Sequence, residues 1–529
     1  MKAKKILALV LALCLLCAMT ACGGDGNSST SSTSGTSSTS SESGETSDTG
    51  ETSDVAEDGN GEVYRVRLTV PTLMTPPSEE GVQQVEDAIN EYLRNDLGIT
   101  QWEMDLEILG VADYSTNISM ALASGEKYDV FAANFYASDL STYVSNGYLS
   151  DLSSYVDNEL ADAVSVLPEN WLRLGTVNGK VYAIPAYTGK VLSYKYIYNK
   201  ELYGDVVDWS TVDSLDDLDA VLPELKAAHP EEYPLVDATA PFTLMQNEGH
   251  VSPVGTYAAT VGDSTELVNL FATDAFKEGV AMSYKWKQAG YSEPEGSTNT
   301  MGGYQLLDNG ACQGWIVGHA YSVETVEKTM DTNNTTGATF KAVEIATSDM
   351  STNTLTYGVA YTSENVAAAC EMMSLIWTDE FIASTLIYGL EGESFVWNED
   401  KSSIVYPEGL DINTVPYTAL YSCGAFGNQF ILYPMDANTS AADKIYMEDL
   451  MDNAWYPPLF GFIPDSTNVS TQVATVSNVY DQYYDVLTYG DVNPDEYLPQ
   501  FLNELKAAGI DDIIAEYQAQ ADAWLETIE

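Results

Sequence analysis

The stretch "EVYRVRLTV" (residues 62–70) starts the pattern that decides the fold, because its alternating apolar and polar side chains predict a β-strand. It is followed by "GVQQVEDAINEYLRNDLG" (81–98), in which apolar side chains recur at helical spacing before a closing glycine. "MDLEILG" (104–110) predicts a second strand, and "YSTNISMALASGEKYDVFAANF" (114–135) predicts a helix, a glycine cap and a third strand. This alternation is typical of a parallel sheet covered by helices, so we expect an α/β fold.

Similar patterns continue along the chain, although less regularly. "NGKVYAIPAYTG" (178–189) is a strand-like run broken by a proline, and "ACQGWIVGHA" (311–320) predicts a short buried strand. "SLDDLDAVLPELKAAHP" (214–230) predicts a helix with acids early and a lysine late, which suits the helix dipole. The chain has 529 residues, which is too long for one core and favours two lobes.

The first residues have the parts of an export signal. Three lysines among the first five residues precede an apolar run at 6–19, and small residues come before Cys22. This is typical of a signal peptide over residues 1–21, since a membrane span needs roughly 20 apolar residues. A tight transmembrane anchor is the alternative interpretation. "MTAC" (19–22) resembles the lipobox of bacterial lipoproteins, which implies that Cys22 is lipidated and becomes the new N-terminus.

Residues 22–62 predict a tether behind that lipid. Beyond the cysteine they consist almost entirely of Ser, Thr, Gly, Asp and Glu. Such a segment buries too little apolar surface to offset its ordering entropy, so we expect it to be disordered. The folded body would then stand off the extracellular face of the cell membrane.

Charge and cysteine content narrow the classes of partner and cofactor. The formal net charge is −58, which repels nucleic acid and anionic lipid and disfavours anionic ligands. The sequence has no phosphate-binding loop and no zinc-type spacing, so neither a cofactor nor a metal is expected. Beyond the lipobox, Cys312, Cys370 and Cys423 form an odd trio. Buried free thiols are therefore expected, although one pair could bridge.

Several stretches match one known family in the same order along the chain. They are "ALASGEKYDVFAANFYASDLSTYVSNGYLSDLSSYV" (121–156), "NGKVYAIPAYTG" (178–189), "IYNKELYG" (197–204) and "SENVAAACEMMSLIWTDEFIASTLIYGLEGESFVWN" (363–398). Together they resemble the extracellular solute-binding proteins of carbohydrate-type ABC importers. The last stretch, 460–525, resembles the C-terminal domain of one lipoprotein subfamily of these binders.

The resemblance implies a two-lobed, periplasmic-binding-protein-like α/β fold of type II, with a ligand cleft between discontinuous lobes. Lobe one is expected at 63–187 plus 356–425. Lobe two is expected at 188–355 plus 426–529, including the C-terminal subfamily domain. The implied function is capture of a sugar or oligosaccharide by lobe closure and its delivery to the permease subunits of an ABC transporter. The protein would be a monomer and not an enzyme.

Aromatic and amide side chains near expected strand ends are the candidates for binding sugar, because buried sugar hydroxyls need hydrogen-bond partners. Asn134 and Tyr136 follow the third strand, where open α/β sheets bind ligands. A helix-capping Asn and a core Tyr are the alternatives. Tyr187 and Tyr357 stand where the chain is expected to cross between lobes, and Tyr187 fits a hinge aromatic equally well.

Four further candidates come from other parts of the chain. Trp315 lies in a strand opened by a glycine, although a core Trp is the commoner fate. Asn428 and Gln429 are polar residues in an apolar stretch, and the alternative is a turn that satisfies its own backbone. Trp455 precedes Tyr-Pro-Pro, a rigid loop that could present a stacking surface.

Two other classes of function stay open on sequence alone. A secreted glycoside hydrolase needs two carboxylates roughly 5–9 Å apart across a cleft, and 79 acidic residues do not exclude such a pair. A sugar-sensing or adhesion lipoprotein would bind without transport. A peptide or a modified sugar is an alternative ligand. The ordered family match favours the transport binder.

Overall fold

The computed structural model describes residues 63–72, 76–134, 140–294, 301–333, 335–352, 355–419, 427–435 and 440–528. Cys22, Tyr136 and Cys423 lie outside these residues. The strands are β1 (Tyr64–Thr72), β2 (Trp102–Gly110), β3 (Val130–Asn134), β4 (Thr176–Val177), β5 (Lys180–Val181), β6 (Ala183–Pro185), β7 (Ser193–Asn199), β8 (Val251–Val254), β9 (Ala258–Val261), β10 (Val268–Asn269), β11 (Gly314–His319), β12 (Phe340–Thr347), β13 (Thr356–Val359), β14 (Val396–Trp397) and β15 (Ile404–Val405).

Helices alternate with these strands along the chain. The α-helices are α1 (Glu79–Asn95), α2 (Val111–Ser124), α3 (Leu140–Ser145), α4 (Ala161–Ser165), α5 (Lys200–Tyr203), α6 (Leu215–Ala228), α7 (Ala240–Glu248), α8 (Asp274–Gln288), α9 (Gly303–Asp308), α10 (Val323–Asn333), α11 (Val366–Thr378), α12 (Glu380–Tyr388), α13 (Ala441–Asp452), α14 (Ser470–Thr488), α15 (Pro494–Ala508) and α16 (Ile510–Ile528). Short 3₁₀ turns lie at Trp171–Gly175, Trp209–Thr211, Leu270–Ala272, Gln429–Ile431 and Thr467–Val469.

The first lobe is built on a five-stranded sheet with the order β2-β1-β3-β13-β6. β1 pairs in parallel with β2 and β3, whereas β13 runs antiparallel between β3 and β6. β13 joins this sheet only after the chain has built the β7, β11 and β12 strands of the second lobe, so lobe one is discontinuous in sequence. The predicted alternation of strands and helices at its start is confirmed by β1, α1, β2, α2 and β3.

Polar as well as apolar contacts hold α1 on the sheet. The Ser78 hydroxyl caps the helix by accepting a hydrogen bond from the Gly81 N–H, and Val85 lies on the buried face. Asn90 on that face donates to the Met104 carbonyl at 2.8 Å and accepts from the Met104 N–H at 2.7 Å. Because β2 is the edge strand, these two bonds satisfy backbone groups that no strand pairs.

The second lobe contains the antiparallel sheet β11-β7-β12 and the smaller sheet β10-β9-β8. All of β7 is buried between layers of helices. α6 begins at a Ser214 cap and places Leu218 and Leu222 in one apolar cluster with Tyr196 of β7. The sheet therefore has a covered face on the α6 side and a second covered face beneath α9 and α10, which include Leu306 and Val326.

The C-terminal helices α14, α15 and α16 pack against α8 and the smaller sheet of lobe two. Their core is aromatic: Phe271 and Phe501 lie 5.0 Å apart, and Phe276 stacks on Tyr484 at 6.2 Å between ring centroids. α15 has Pro494 in its first turn and ends at Gly509, whose φ of +99° is left-handed. These helices thus form one body with the rest of lobe two.

Residues 427–435 lie with lobe one, whereas the sequence analysis placed them in lobe two. Leu432 and Met435 are buried in the lobe-one core, and Met435 forms a bridge to Ile404. The Tyr433 N–H donates to the Ser384 hydroxyl of α12 at 2.9 Å. The boundary therefore falls later in the chain, because non-local partners that the local pattern does not reveal decide where this segment packs.

The described cysteines do not pair. Cys312 and Cys370 are buried free thiols in different lobes, and burial raises the pKa of both to about 12. In the described part of the chain, no helix combines the length and apolar character needed to cross a membrane.

Candidate ligand site between the two lobes

Two short crossing segments join the two main sheets at the ends of their strands. These strand ends form the edge of each sheet that borders the other lobe. Residues 186–192 lead from the end of β6 to the start of β7, and residues 348–355 lead from the end of β12 to the start of β13. The Ser348 N–H donates to the Leu192 carbonyl at 2.8 Å, and the Leu192 N–H donates to the Ser348 hydroxyl at 3.0 Å. The crossings therefore lie side by side, and the space between the two sheet edges is an interlobe cleft.

The lobe-one edge of this cleft is defined by strand register. Thr356 at the start of β13 is paired with Asn134 at the end of β3 and with Pro185 at the end of β6. Thr356 is fully buried, and its hydroxyl has no hydrogen-bond partner within the described residues. A buried hydroxyl without a hydrogen-bond partner therefore lies at the edge where the second crossing enters β13.

The lobe-two edge carries a buried histidine. Ser193 at the start of β7 lies opposite His319 of β11 and Thr347 of β12. The Tyr304 hydroxyl is 2.9 Å from His319 Nε2. Burial lowers the pKa of His319 to about 3, and the positive charge of Lys195 adds to this shift. The imidazole is therefore neutral at pH 7.

Lys195 is fully buried and lies on the same face of the lobe-two sheet as Ser193 and His319. Its ammonium donates to the Ser193 carbonyl at 3.2 Å and lies 5.5 Å from the centroid of the Tyr446 ring. Burial lowers the pKa of Lys195 to about 8, while the Glu344 and Asp443 carboxylates oppose that shift. Lys195 is thus a buried cation with two carboxylates near it, and its hydrogen bond to Ser193 ties it to this edge.

Tyr388 is a residue of the lobe junction that the sequence analysis did not single out. It ends α12, its side chain is 4% exposed, and its hydroxyl has no partner within the described residues. Burial raises the pKa of Tyr388, and the nearby Tyr321, which follows β11 in lobe two, adds to that shift. The available signal was a tyrosine immediately before Gly389, the glycine that ends a buried helix.

Of the lobe-one candidates, Asn134 lies opposite Thr356 and Tyr187 lies in the first crossing. Asn134 ends β3 at the cleft edge, and Tyr136 lies outside the described residues. Tyr187 is half-buried in the first crossing, with its ring centroid 5.5 Å from that of Trp171 and 4.6 Å from that of Phe430. Its ring packs at the hinge, and burial raises its pKa.

Asn428 and Gln429 adopt different roles at the same crossing. The Asn428 side chain is buried and accepts a hydrogen bond from the Phe430 N–H at 2.9 Å, so it satisfies its own turn. The Gln429 side chain accepts from the Gly189 N–H at 3.2 Å, and its backbone N–H donates to the Tyr187 carbonyl at 2.8 Å. Gln429 therefore ties lobe one to the crossing.

Trp315 and Tyr357 lie in apolar cores and not at the cleft surface. Trp315 is 9% exposed and packs edge-on against Tyr304 at 4.8 Å, four residues before the edge at His319. Tyr357 is 1% exposed and packs edge-on against Trp377. Both rings belong to the core of their own lobe, and Gly303 closely approaches the Trp315 ring, so neither ring is placed at the cleft edge.

Trp455 also has protein partners that account for its position. Its ring stacks on His250 at 4.5 Å, and its indole N–H donates to Asp263 at 3.3 Å. His250 Nδ1 is in turn 2.8 Å from Asp349 of the second crossing. The Tyr-Pro-Pro loop therefore braces the hinge from lobe two.

Within the described residues, no group of three or more His, Cys, Asp or Glu side chains is arranged to hold a metal ion.

Two family models match this chain. One, described as bacterial extracellular solute-binding protein, matches residues 105–380, just over half of the 529 residues. The other, described as a domain of unknown function (DUF3502), matches residues 458–526, which include α14, α15 and most of α16.

Individual relatives agree with these matches. A carbohydrate ABC transporter substrate-binding protein of Streptococcus pneumoniae serotype 4 is 25% identical over 456 residues, covering 83% of this chain and 89% of the relative. The fold matches the N-glycan transport solute binding protein (NgtS) of Streptococcus pneumoniae with a TM-score of 0.68 and 20% identity, covering 88% of this chain and 100% of that one. A solute binding protein of Bifidobacterium longum infantis, described as HMO binding and ABC-transporter associated, has a TM-score of 0.60 at 15% identity, with 88% and 99% coverage. NgtS has also been solved with Man1GlcNAc and with Man5GlcNAc.

Proposed function

The chain belongs to the bacterial extracellular solute-binding proteins, and from this premise we propose that it captures a neutral sugar or oligosaccharide and delivers it to the permease of an ABC transporter. The observation that supports the proposal is the pair of sheet edges joined by two crossings that lie side by side at Leu192 and Ser348. A ligand that contacts both edges favours the closed state, because only a difference in affinity between two states shifts their populations.

The choice of a saccharide rests on the cleft residues and on the relatives. Amide and hydroxyl groups of Asn134, Thr356 and Ser193 lie at the edges, and such groups suit the hydroxyls of a neutral ligand. The formal net charge of −58 disfavours an anionic one. The related proteins are described as binding or transporting carbohydrate, N-glycan or HMO, which is the same class of ligand.

We assign the sugar contacts to the residues at the crossings and strand ends. Asn134 and Tyr136 would act from lobe one, and Tyr187 and Gln429 would act from the hinge. Tyr388 joins them as a hydroxyl at the lobe junction. Trp315, Tyr357, Asn428 and Trp455 are left out because protein contacts account for their positions.

A thermal-shift screen with calorimetry tests the ligand class. The panel is Man1GlcNAc, Man5GlcNAc, a neutral milk oligosaccharide and two anionic uronate oligomers. We expect a neutral glycan to raise the melting temperature, since ligand at 100 times Kd stabilises a folded protein by about 2.7 kcal/mol. The affinity should change little between low and high salt. Binding of only the uronates, with strong salt dependence, would contradict the proposal.

Small-angle scattering tests closure on the same samples. Saturating glycan should reduce the radius of gyration, because closure brings two lobes together around the crossings. An unchanged radius at saturation would leave binding intact but would contradict capture by closure.

Anchoring and the absence of chemistry are part of the same proposal. The family is extracellular, and we place this protein on the outer face of the membrane as a monomer held by a lipid on Cys22.

The relatives described above are binding proteins. Incubation of the bound glycan with the protein should return it unhydrolysed, as judged by mass spectrometry.

A further inference from the structure

A second cavity, of about 450 Å³, lies between lobe one and the C-terminal helices. On the lobe-one side it is lined by α3 and by the turn between β4 and β5, and on the other side by residues 461–468 and α16. Its lining shares no residue with the two sheet edges of the cleft. The volume falls within the range of roughly 300–1,000 Å³ that is usual for small-molecule sites.

Trp524 of α16 lines this cavity with an unengaged hydrogen-bond donor. The side chain is 9% exposed and packs against Phe462, whose ring centroid is 5.7 Å away. None of the hydrogen bonds formed among the described residues uses its indole N–H. Six of the eight other tryptophans donate from this group to a protein acceptor. The indole N–H of Trp524 is therefore available to an acceptor that enters the cavity.

Exposed neutral polar groups line the lobe-one wall of the cavity. Ser145 of α3 and Asn178 line the cavity, and within the described residues neither side chain makes a hydrogen bond. Asn178 and Gly179 form the two-residue turn between β4 and β5, with φ of +51° and +74°. This is the geometry of a type I′ hairpin turn, which fixes the backbone from which the exposed Asn178 side chain extends.

The two acids of the cavity wall are occupied in holding that wall together. Asp465 accepts from the Thr467 hydroxyl at 2.6 Å, and Glu516 accepts from Asn468 at 2.9 Å and from Gln520 at 2.8 Å. These bonds fix the turn at 465–469 on α16. Their negative charge repels an anion, so the cavity favours a neutral ligand.

We propose that this cavity is a second saccharide site, which takes a unit of one or two neutral sugars between lobe one and the C-terminal helices. The indole N–H of Trp524 donates to a sugar oxygen, Phe462 and Trp524 cover an apolar face, and Ser145 and Asn178 bind hydroxyls from the opposite side. The ligand class rests on the proposed function. Because both bodies contribute to the walls, occupancy of this site is coupled to their relative position.

Fluorine NMR tests the proposal on the whole folded body. Protein labelled with 5-fluorotryptophan gives one signal for each tryptophan, and Trp524→Phe identifies the signal of Trp524. On titration with Man1GlcNAc we expect the Trp524 signal to shift and saturate. Ser145→Leu, which fills the lobe-one wall, should abolish that shift and leave calorimetric binding in the cleft unchanged. Thr142→Leu, an exposed change on the same helix outside the cavity lining, should leave both intact.

The outcomes separate this site from the cleft. A Trp524 signal that stays in place overturns the second site, and calorimetric binding in the same sample then leaves the proposed function standing. A shift that survives in Ser145→Leu also overturns the site, because the signal would then report lobe closure. Absence of both the shift and calorimetric binding counts against both proposals.

Discussion

At the scale of single residues, buried hydroxyls at the lobe junction are more informative than the aromatic rings that stand out in the sequence. Tyr388 and Thr356 are buried with hydroxyls that have no partner within the described residues. Leaving such a group unsatisfied costs about 1–3 kcal/mol of folding stability, so a native protein retains it where the group has another use. At this junction that use would be a hydrogen bond to a ligand.

Tyr388→Phe should therefore separate binding from folding. Removal of the hydroxyl should leave the free energy of unfolding unchanged or raise it by about 1 kcal/mol, and should weaken glycan binding roughly fivefold. Tyr203→Phe is the matched control, because the Tyr203 hydroxyl is also buried without a partner but lies in the lobe-two core. Urea denaturation and calorimetry on both variants are the measurements. Equal affinity in the two variants would remove Tyr388 from the site.

The buried His319 predicts a loss of stability in acid. Its folded-state pKa of about 3 lies below the unfolded value of about 6.5, so the folded state binds fewer protons. Its contribution is fully present above pH 6.5 and is lost as the pH falls below that value, by about 2 kcal/mol between pH 7 and pH 5. The measurement is the free energy of unfolding by urea at pH 7 and at pH 5. In His319→Gln the difference between these two values should be smaller than in the unaltered protein by about 2 kcal/mol. An undiminished difference would mean that His319 is not the group responsible.

At the scale of elements, close packing inside lobe two fixes the position of β11. Gly303 at the start of α9 approaches the Trp315 ring so closely that a Cβ on it would lie 2.5 Å from the ring. Trp315 is therefore a contact between strand and helix, and its burial stabilises the element that presents His319 at the cleft edge.

Trp315→Ala should accordingly lower folding stability by about 3–5 kcal/mol, as expected for a large aromatic removed from a core. Glycan affinity in the remaining folded fraction should not change. Trp315→Phe should recover part of the stability, because it keeps an aromatic ring against Tyr304. Melting of the unliganded protein and calorimetry on the same variants decide the matter. Lost affinity with an unchanged melt would place Trp315 in the binding site instead.

At the scale of the whole molecule, charge and tether determine how the protein meets its partners. The net charge of −58 keeps the body away from anionic lipid, so attachment requires a specific anchor. The tether predicted for residues 22–62 has about 40 residues, and a flexible chain of that length would have a root-mean-square span of roughly 35 Å, enough for the two-lobed body to stand clear of the membrane.

Cys22→Ala should release the protein from the membrane fraction, because two acyl chains on Cys22 give stable anchoring and no other lipidated residue is expected. Cys14→Ala, inside the apolar run of the signal, is the matched control and should leave the protein anchored. Immunoblotting of membrane and soluble fractions measures both. A Cys22→Ala protein that stays in the membrane would favour a transmembrane anchor at residues 6–19.

Local sequence pattern by itself determined the elements and the class of fold. The alternation at 62–70 became β1, the helical spacing at 81–98 became α1, and the order of matched stretches indicated the family. These features depend on neighbours a few residues apart, so a single sequence carries them. The choice of a saccharide also came from this level, through the family resemblance.

Only the tertiary structure decided which side chains meet. Tyr388 lies near Tyr321 of the other lobe, 67 positions away along the chain, and Trp524 shares a cavity with Asn178. Trp315 and Tyr388 are equally plain aromatic residues in the sequence, but one packs against α9 and the other ends a helix at the lobe junction. Burial and hydrogen-bond satisfaction depend on contacts between distant segments. The crossings at Leu192 and Ser348 create those contacts, and no local pattern encodes them.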